Sequence, residues 1–426
     1  MKESIFTVKH RSGDELILFN TLSRSLLSMA SEDYARLLSC IEKKQASQDV
    51  ETLYDMGFLV DDGLDEFKKY LFQYNLAAED TRFLTITYLT TLRCNFKCCY
   101  CYEGKTLRRA KASPAIEAET FERMYRELLF LSHAQAVDFN FFGGEPLVEI
   151  AHLFEVMSIL ERVNREGNVT CSVNVVSNGY LLDAAKIKKC KEIGVNSFQI
   201  TVDGVEEYHD RYRPLKNGGG TYSRILNNIF LLIENGFEVI VNMNYCSENY
   251  AGIIKFLEGM PAGIKDNVYI KFTELKTTAL NHYAEKFTGE SASICKQLYQ
   301  TLKSHDFPDP EVHLKDTGPC LANRKNSIII SRNGEVSKCI YGIGNPKLVL
   351  GNYFHAPGVL EAAFRHHLND VVYPEKCKTC NVLPMCMGGC KRVRLENDRT
   401  GAPVCEYDKI FCSMVDPVVH FYQGSL

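Results

Sequence analysis

Tryptophan is absent from the 426 residues, an absence that excludes no chemistry. Other absences exclude more. No apolar run is long enough to span a bilayer. The first residues, Met1-Lys2-Glu3-Ser4-Ile5-Phe6, lack the apolar core of a signal peptide. A formal net charge of −4 provides no basic excess, which argues against general nucleic-acid binding and against a membrane-surface partner. Gly218-Gly219-Gly220 is followed by no Lys-Ser/Thr pair, so it is no phosphate loop, and a flexible segment that gates a site is the alternative. Without an export signal a cytoplasmic location is expected, and disulfides are rare there.

What the chain does have is cysteine, 17 in all, with 45% hydrophobic and 24% charged residues typical of packed domains. In a reducing compartment clustered cysteines read as metal ligands. They gather at 94–101 and 377–390, with Cys320, Cys339, Cys405 and Cys412 outside these groups. Cys40, Cys171, Cys190, Cys246 and Cys295 stand singly and read as small buried hydrophobes.

The length suits two or three domains. Residues 1–80 form a candidate module. Ile5–Val8 and Glu15–Phe19 read as strands around Ser12-Gly13-Asp14. Leu22–Met29, Tyr34–Ile41 and Asp65–Tyr74 have helical periodicity, with strand-like Gly57–Val60 between. Such a composition suggests a winged-helix-like fold. Over 81–285, strand-like runs recur at Leu84–Leu89, Val137–Phe142, Ser172–Val176, Phe198–Val202, Val239–Asn244 and Val268–Phe272. A helix opened by Ser113-Pro114 and running to about His133 is expected, and another opens at Thr221-Tyr222-Ser223. Six β/α units, (βα)6, imply parallel strands with helices outside, in a partial or full barrel whose ligands gather at the C-terminal strand ends. Residues 286–310 read as a helical bridge, with Tyr283–Lys286 and Ser293–Ser304 helix-periodic. Residues 311–426 are cysteine-rich.

Cys94, Cys98 and Cys101 follow the first barrel strand with C-x3-C-x2-C spacing. Three thiolates on one loop can hold three irons of a 4Fe–4S cube and leave the fourth open to a small molecule. A zinc knuckle is the competing reading, but no local second C-x2-C pair is present. Cys99 lies off the spacing and reads as packing. Gly143-Gly144-Glu145-Pro146 follows the second strand, Ser177-Asn178-Gly179 the third and Asp203-Gly204 the fourth. Each is an ordinary turn taken alone. Asn242 and Asn244 share one face of the fifth strand. His209-Asp210-Arg211-Tyr212-Arg213 reads as a salt-bridged structural loop, with a catalytic or substrate-contact group as the alternative.

These motifs, in this order at consecutive strand ends over roughly 82–280, resemble the radical S-adenosylmethionine (SAM) superfamily, with its TIM-like partial barrel. The resemblance implies that Cys94, Cys98 and Cys101 hold a cluster whose open iron chelates SAM. It implies that Gly143, Gly144 and Glu145 hold the methionine amine, that Tyr100 packs near the adenine, and that Ser177 and Asn178 lie near the ribose. Family members often carry an arginine on the fifth strand for the SAM carboxylate. Val241-Asn242-Met243-Asn244 has none, and Asn242 is the candidate substitute. Asp203 is the candidate catalytic group.

A second series follows: Cys320, then Asn333-Gly334 as a hairpin tip between Ile328–Ser331 and Glu335–Ser337, then Cys339, Cys377, Cys380, Cys386, Cys390 and Cys405. Local spacing allows a zinc ribbon from 377–390. The whole series resembles the SPASM extension of radical SAM maturases. That implies two auxiliary clusters and three 4Fe–4S clusters in total. Cys377, Cys380, Cys386 and Cys405 would bind the outer one. Cys320, Cys339 and Cys390 would bind the inner one. Glu311–Pro319 offers no fourth cysteine for the inner cluster, so an open iron that docks a substrate thiolate, or a ligand from Cys412, is expected.

The resemblance implies an oxidoreductase that uses a 5′-deoxyadenosyl radical, with an electron donor such as flavodoxin or ferredoxin. The leading expectation is a maturase that installs sulfur-to-carbon thioether links in a ribosomally made, cysteine-containing precursor peptide. Residues 1–80 would recognise the leader of that peptide by strand addition. Alternatives are an anaerobic sulfatase maturase, a carbon–carbon crosslinking cyclase, a peptide epimerase and a non-catalytic iron–sulfur protein. The sulfatase class carries Asp directly after the cysteine matching Cys339, where this chain has Ile340.

Overall fold

A computed structural model describes the chain except for residues 44, 46, 102–114, 276–288, 309–317, 366–372, 391, 393–404, 406, 417 and 420–426. The helix start at Ser113-Pro114 and the Tyr283–Lys286 pattern lie outside the described residues.

The N-terminal module begins with β1 (Lys2–Glu3), then β2 (Thr7–Ser12), β3 (Glu15–Asn20) and β4 (Leu26–Ala30). β3 pairs antiparallel with β2 on one side and β4 on the other. Three helices follow, Ser31–Glu42, Gln48–Asp55 and Glu66–Ala78, and β1 pairs with β5 (Leu59–Val60). Ser47 and Asp65 cap the second and third helices through Val50 N and Lys68 N.

One expectation for this module is corrected. The helical pattern in Leu22–Met29 forms a turn and β4, and a further helix, Gln48–Asp55, stands where the sequence reading has none. For β4 the reason is burial on both faces of the sheet. Leu16, Leu18, Leu27 and Met29 pack on the helices, whereas Ile17, Phe19 and Leu26 pack on Val382, Met385, Val415 and Val418 of the C-terminal region. A strand covered on both sides has lost the polar alternation that would mark it as a strand.

The barrel strands are β6 (Phe83–Thr91), β7 (Ala136–Gly143), β8 (Thr170–Ser177), β9 (Ser197–Thr201), β10 (Glu238–Tyr245) and β11 (Val268–Glu274). All six are parallel and ordered as in the chain, the order that β/α alternation produces. Their inward apolar residues and the covering helices form the largest core cluster. The helix Gly289–Ser304 forms where the bridge was expected.

β12 (Ser327–Ser331) and β13 (Glu335–Ser337) form the expected Asn-Gly hairpin. β12 also pairs in parallel with β6, from Ser327↔Thr85 to Ser331↔Leu89, and β14 (Val349–Asn352) pairs with β13. The cysteine-bearing hairpin therefore continues the barrel sheet, giving nine strands. Among the described residues no helix is long and apolar enough to cross a membrane.

Candidate functional site

The cysteine loop leaves β6 and is fixed from two sides. On one side it pairs with the segment after the helix Glu206–Tyr212. Lys97 N donates to Pro214 O (2.9 Å), Cys99 N to Tyr212 O (3.1 Å), and Lys216 N to Asn95 O (3.1 Å). On the other side the end of β7 presses against it. Gly144 N donates to Thr91 O and Glu145 N to Arg93 O, both at 2.9 Å. The two glycines are required by this approach. Gly143 has φ of +131°, and a Cβ there would lie 2.3 Å from Thr91 O; one on Gly144 would lie 2.4 Å from Arg93 O. Their demonstrable work is to bring Glu145 against the cysteine loop.

Glu145 is buried and fully engaged. Its Oε1 accepts from Ser177 Oγ (2.7 Å) and Leu147 N (3.1 Å), and its Oε2 from Asn178 N (2.7 Å). Burial pushes its carboxyl up, opposed by these donors and by Arg213. Ser177 Oγ also accepts from Gly179 N (2.9 Å), so it fixes the turn and the carboxylate together. Asn178 Nδ2 donates to Asn95 Oδ1 (2.8 Å) and lies 4.0 Å from Cys94 Sγ. Phe96 N donates to Cys94 Sγ at 3.3 Å. Burial pushes the Cys94 thiol up to about 12 and the Cys98 thiol upward as well.

A second group surrounds Tyr100. Its hydroxyl donates to Asp203 Oδ2 and accepts from Arg213 Nη1 (2.6 Å) and Asn244 Nδ2 (3.1 Å). Asp203 is fully buried, and its Oδ1 accepts from Asn244 N (2.9 Å) and Nδ2 (3.2 Å). With both oxygens engaged, Asp203 ties Tyr100 to β10. Asn242 stands one step away, joined to Asn244 (3.3 Å) and Thr273 (2.6 Å).

Arg213 ends the segment 209–213, which reads from the sequence as a salt-bridged structural loop. It is buried, lies 4.0 Å from Asp203, and its Nε has no hydrogen-bond partner among the described residues. Its guanidinium also covers Phe96 of the cysteine loop, 5.8 Å from the ring centroid. The rest of that segment is structural. Asp210 Oδ1 accepts from Thr221 N and Tyr222 N at the start of the next helix, and His209 Nδ1 accepts from Asp203 N.

Burial pushes the Cys339 thiol up to about 11, and the charges of Cys320 and Cys390 add to that rise. Cys377, Cys380 and Cys405 line one hollow with Ile5, Thr7 and Tyr407. Cys386 packs in the same apolar cluster as Cys380. The side chain of Cys412 lies outside the described residues. Among the described residues no three His, Cys, Asp or Glu side chains converge as they would on a single ion.

Comparison with known proteins agrees with this geometry. The radical SAM superfamily model matches residues 88–258. The serine-type anaerobic sulfatase-maturating enzyme of Klebsiella aerogenes is 30% identical over 317 residues, covering 70% of this chain and 76% of that protein. The structure of anSMEcpe with bound AdoMet and the Kp18Cys peptide superposes with a TM-score of 0.64 at 18% identity, over 81% of this chain and 100% of that one. Streptococcus suis SuiB bound to precursor peptide SuiA superposes with a TM-score of 0.56 at 13% identity, over 94% of this chain and 97% of that one. The chain is thus an enzyme that belongs to the radical SAM superfamily.

Proposed function

We propose that this enzyme installs sulfur-to-carbon thioether links in a ribosomally made, cysteine-containing precursor peptide. Cys94, Cys98 and Cys101 hold the SAM cluster, and their donor set fits it: soft sulfurs on one loop, with a fourth position open. When bound, the reduced cluster and SAM supply a 5′-deoxyadenosyl radical able to take hydrogen from an unactivated carbon. The chain's own part is to hold SAM and exclude water. Arg213 faces the SAM carboxylate, because its guanidinium is buried beside the cysteine loop with an unused N–H. It takes the place of the arginine that β10 lacks, and Asn242 orients Asn244. Gly143, Gly144 and Glu145 form the wall nearest the SAM amine. Tyr100, Ser177 and Asn178 complete the cradle, with Asp203 as a positioning residue for Tyr100.

The observation that carries the thioether outcome is Ile340, which directly follows Cys339 where the sulfatase class has Asp. The SPASM resemblance assigns Cys320, Cys339 and Cys390 to one cluster. Three ligands leave an iron for a substrate thiolate, and an apolar neighbour offers no base for aldehyde formation. Cys377, Cys380, Cys386 and Cys405 hold the third cluster, and a donor such as flavodoxin or ferredoxin supplies electrons. Residues 1–80 serve as the leader-binding module, 81–285 as the barrel, 286–310 as the bridge and 311–426 as the SPASM domain. The SuiB superposition, with a precursor peptide bound there, reaches 94% of this chain. The anSMEcpe superposition leaves about a fifth of the chain uncovered, close to the length of this module.

The 30% identity to a serine-type sulfatase maturase favours a second reading, oxidation of a side chain to formylglycine. Reaction of the reconstituted enzyme with SAM and the peptide encoded beside it separates the two. A thioether removes one H2 per link and consumes a thiol. Formylglycine gives an aldehyde that hydrazine reagents capture. An aldehyde product would overturn the thioether reading.

A further inference from the structure

The N-terminal module reaches the outer cluster site directly. Thr7, the first residue of β2, lines the same hollow as Cys377, Cys380 and Cys405. Its Oγ1 is buried and has no hydrogen-bond partner among the described residues. Native proteins rarely leave a buried hydroxyl unsatisfied, so such a group calls for an acceptor that belongs at that place. Its backbone is already fixed, with Thr7 N donating to Ser4 O (3.2 Å) and the residue paired with Asn20. The module is also pinned beside this hollow, since Thr21 Oγ1 donates to Asn381 O at 2.5 Å.

We infer that the Thr7 hydroxyl donates a hydrogen bond to a sulfur of the outer auxiliary cluster, so that the N-terminal module sets the reduction potential of that cluster. The inference rests on the assignment of Cys377, Cys380, Cys386 and Cys405 to that cluster. Hydrogen bonds to cluster sulfurs stabilise the more negative, reduced state and raise the potential. One electron from a chemical reductant enters the cluster, and no bond in the protein forms or breaks. The hydroxyl acts only through its dipole.

The test is an equilibrium redox titration followed by electron paramagnetic resonance. It uses the full-length reconstituted protein carrying Cys94→Ala, Cys98→Ala and Cys101→Ala, in which only the auxiliary clusters report. Thr7→Val, which keeps the shape and removes the donor, shifts one auxiliary midpoint to lower potential. Thr7→Ser, which keeps the donor, leaves it near the parent value. Equal midpoints for Thr7→Val and the parent, at equal iron content, overturn the inference while the cluster assignment stands. Full iron retained in Cys377→Ala and Cys405→Ala overturns the assignment itself, and the inference with it. If Thr7→Val loads no iron, Thr7→Ala replaces it. Iron loss in both with Thr7→Ser intact also supports the hydroxyl contact, whereas iron loss in all three reduces Thr7 to packing and overturns it.

Discussion

A buried guanidinium is costly unless its donors are used, and Arg213 uses only part of its fork on Tyr100 and Asp203. Under the proposed reading SAM completes it. Arg213→Gln should then weaken SAM binding on the order of ten- to a hundred-fold, the worth of a charge-assisted hydrogen bond. Equilibrium dialysis with labelled SAM checks this, and unchanged affinity would confine Arg213 to holding Tyr100. Replacement of Cys94, Cys98 and Cys101 by Ala should abolish 5′-deoxyadenosine formation while about eight of about 12 irons remain, as three 4Fe–4S clusters require. Persistent 5′-deoxyadenosine would refute that ligand set. The cysteines were legible because ligand spacing on one loop is a local property. Arg213 was not, because no spacing rule ties a residue beyond a seven-residue helix to the loop it faces. Ser177 and Asp203 were legible as positions only. That their oxygens are already engaged with Glu145, Tyr100 and Asn244 is a fact of packing.

Elements meet here through close backbone approaches. The end of β7 lies so near the cysteine loop that Gly144→Ala would press a methyl against Arg93 O. A loss of about 1–3 kcal/mol in stability is expected, together with loss of the first cluster's iron before that of the others. Denaturation and iron analysis of the same sample read both, and full iron with parental stability would show that the loop yields. The β12–β13 hairpin has its own clamp. Lys338, buried just before Cys339, donates to Arg324 O (2.7 Å), Lys325 O (2.9 Å) and Ser327 O (2.7 Å). Lys338→Met removes this donor from three carbonyls, of which Arg324 O keeps Ser327 Oγ (3.3 Å), at about 1–3 kcal/mol at most for each one left unserved. It should loosen the hairpin, read as faster amide exchange in β12 and β13, and unchanged protection would contradict this role. The six barrel strands and the hairpin were readable because each carries an apolar run closed by a turn signal. The pairing of β12 with β6 was not, because register between segments more than two hundred residues apart leaves no local trace.

At the scale of the whole molecule, the N-terminal module is built into the cysteine-rich region. Ile17 and Phe19 of its central strand share a core with Val382, Met385 and Val415. Tyr70 and Tyr74 of its third helix pack with Tyr373 and Leu383, and Asn323 Nδ2 donates to Tyr74 OH at 2.8 Å. Deletion of residues 1–80 should therefore do more than remove the leader affinity proposed for them. It should expose this apolar surface and reduce auxiliary iron, while an unaltered iron content would mark the module as separable. The sequence suggests residues 1–80 as a separate piece. Its docking was hidden because both faces of β3 read simply as apolar. The proposed function turns on the bond the enzyme makes. The most direct measurement is mass spectrometry of a cysteine-containing candidate precursor peptide, after anaerobic turnover with SAM and a reductant. Thioether formation predicts loss of one H2 per link, with disappearance of a free thiol and equal formation of 5′-deoxyadenosine. An aldehyde in place of the thiol, or 5′-deoxyadenosine formed over an unchanged peptide, would contradict it.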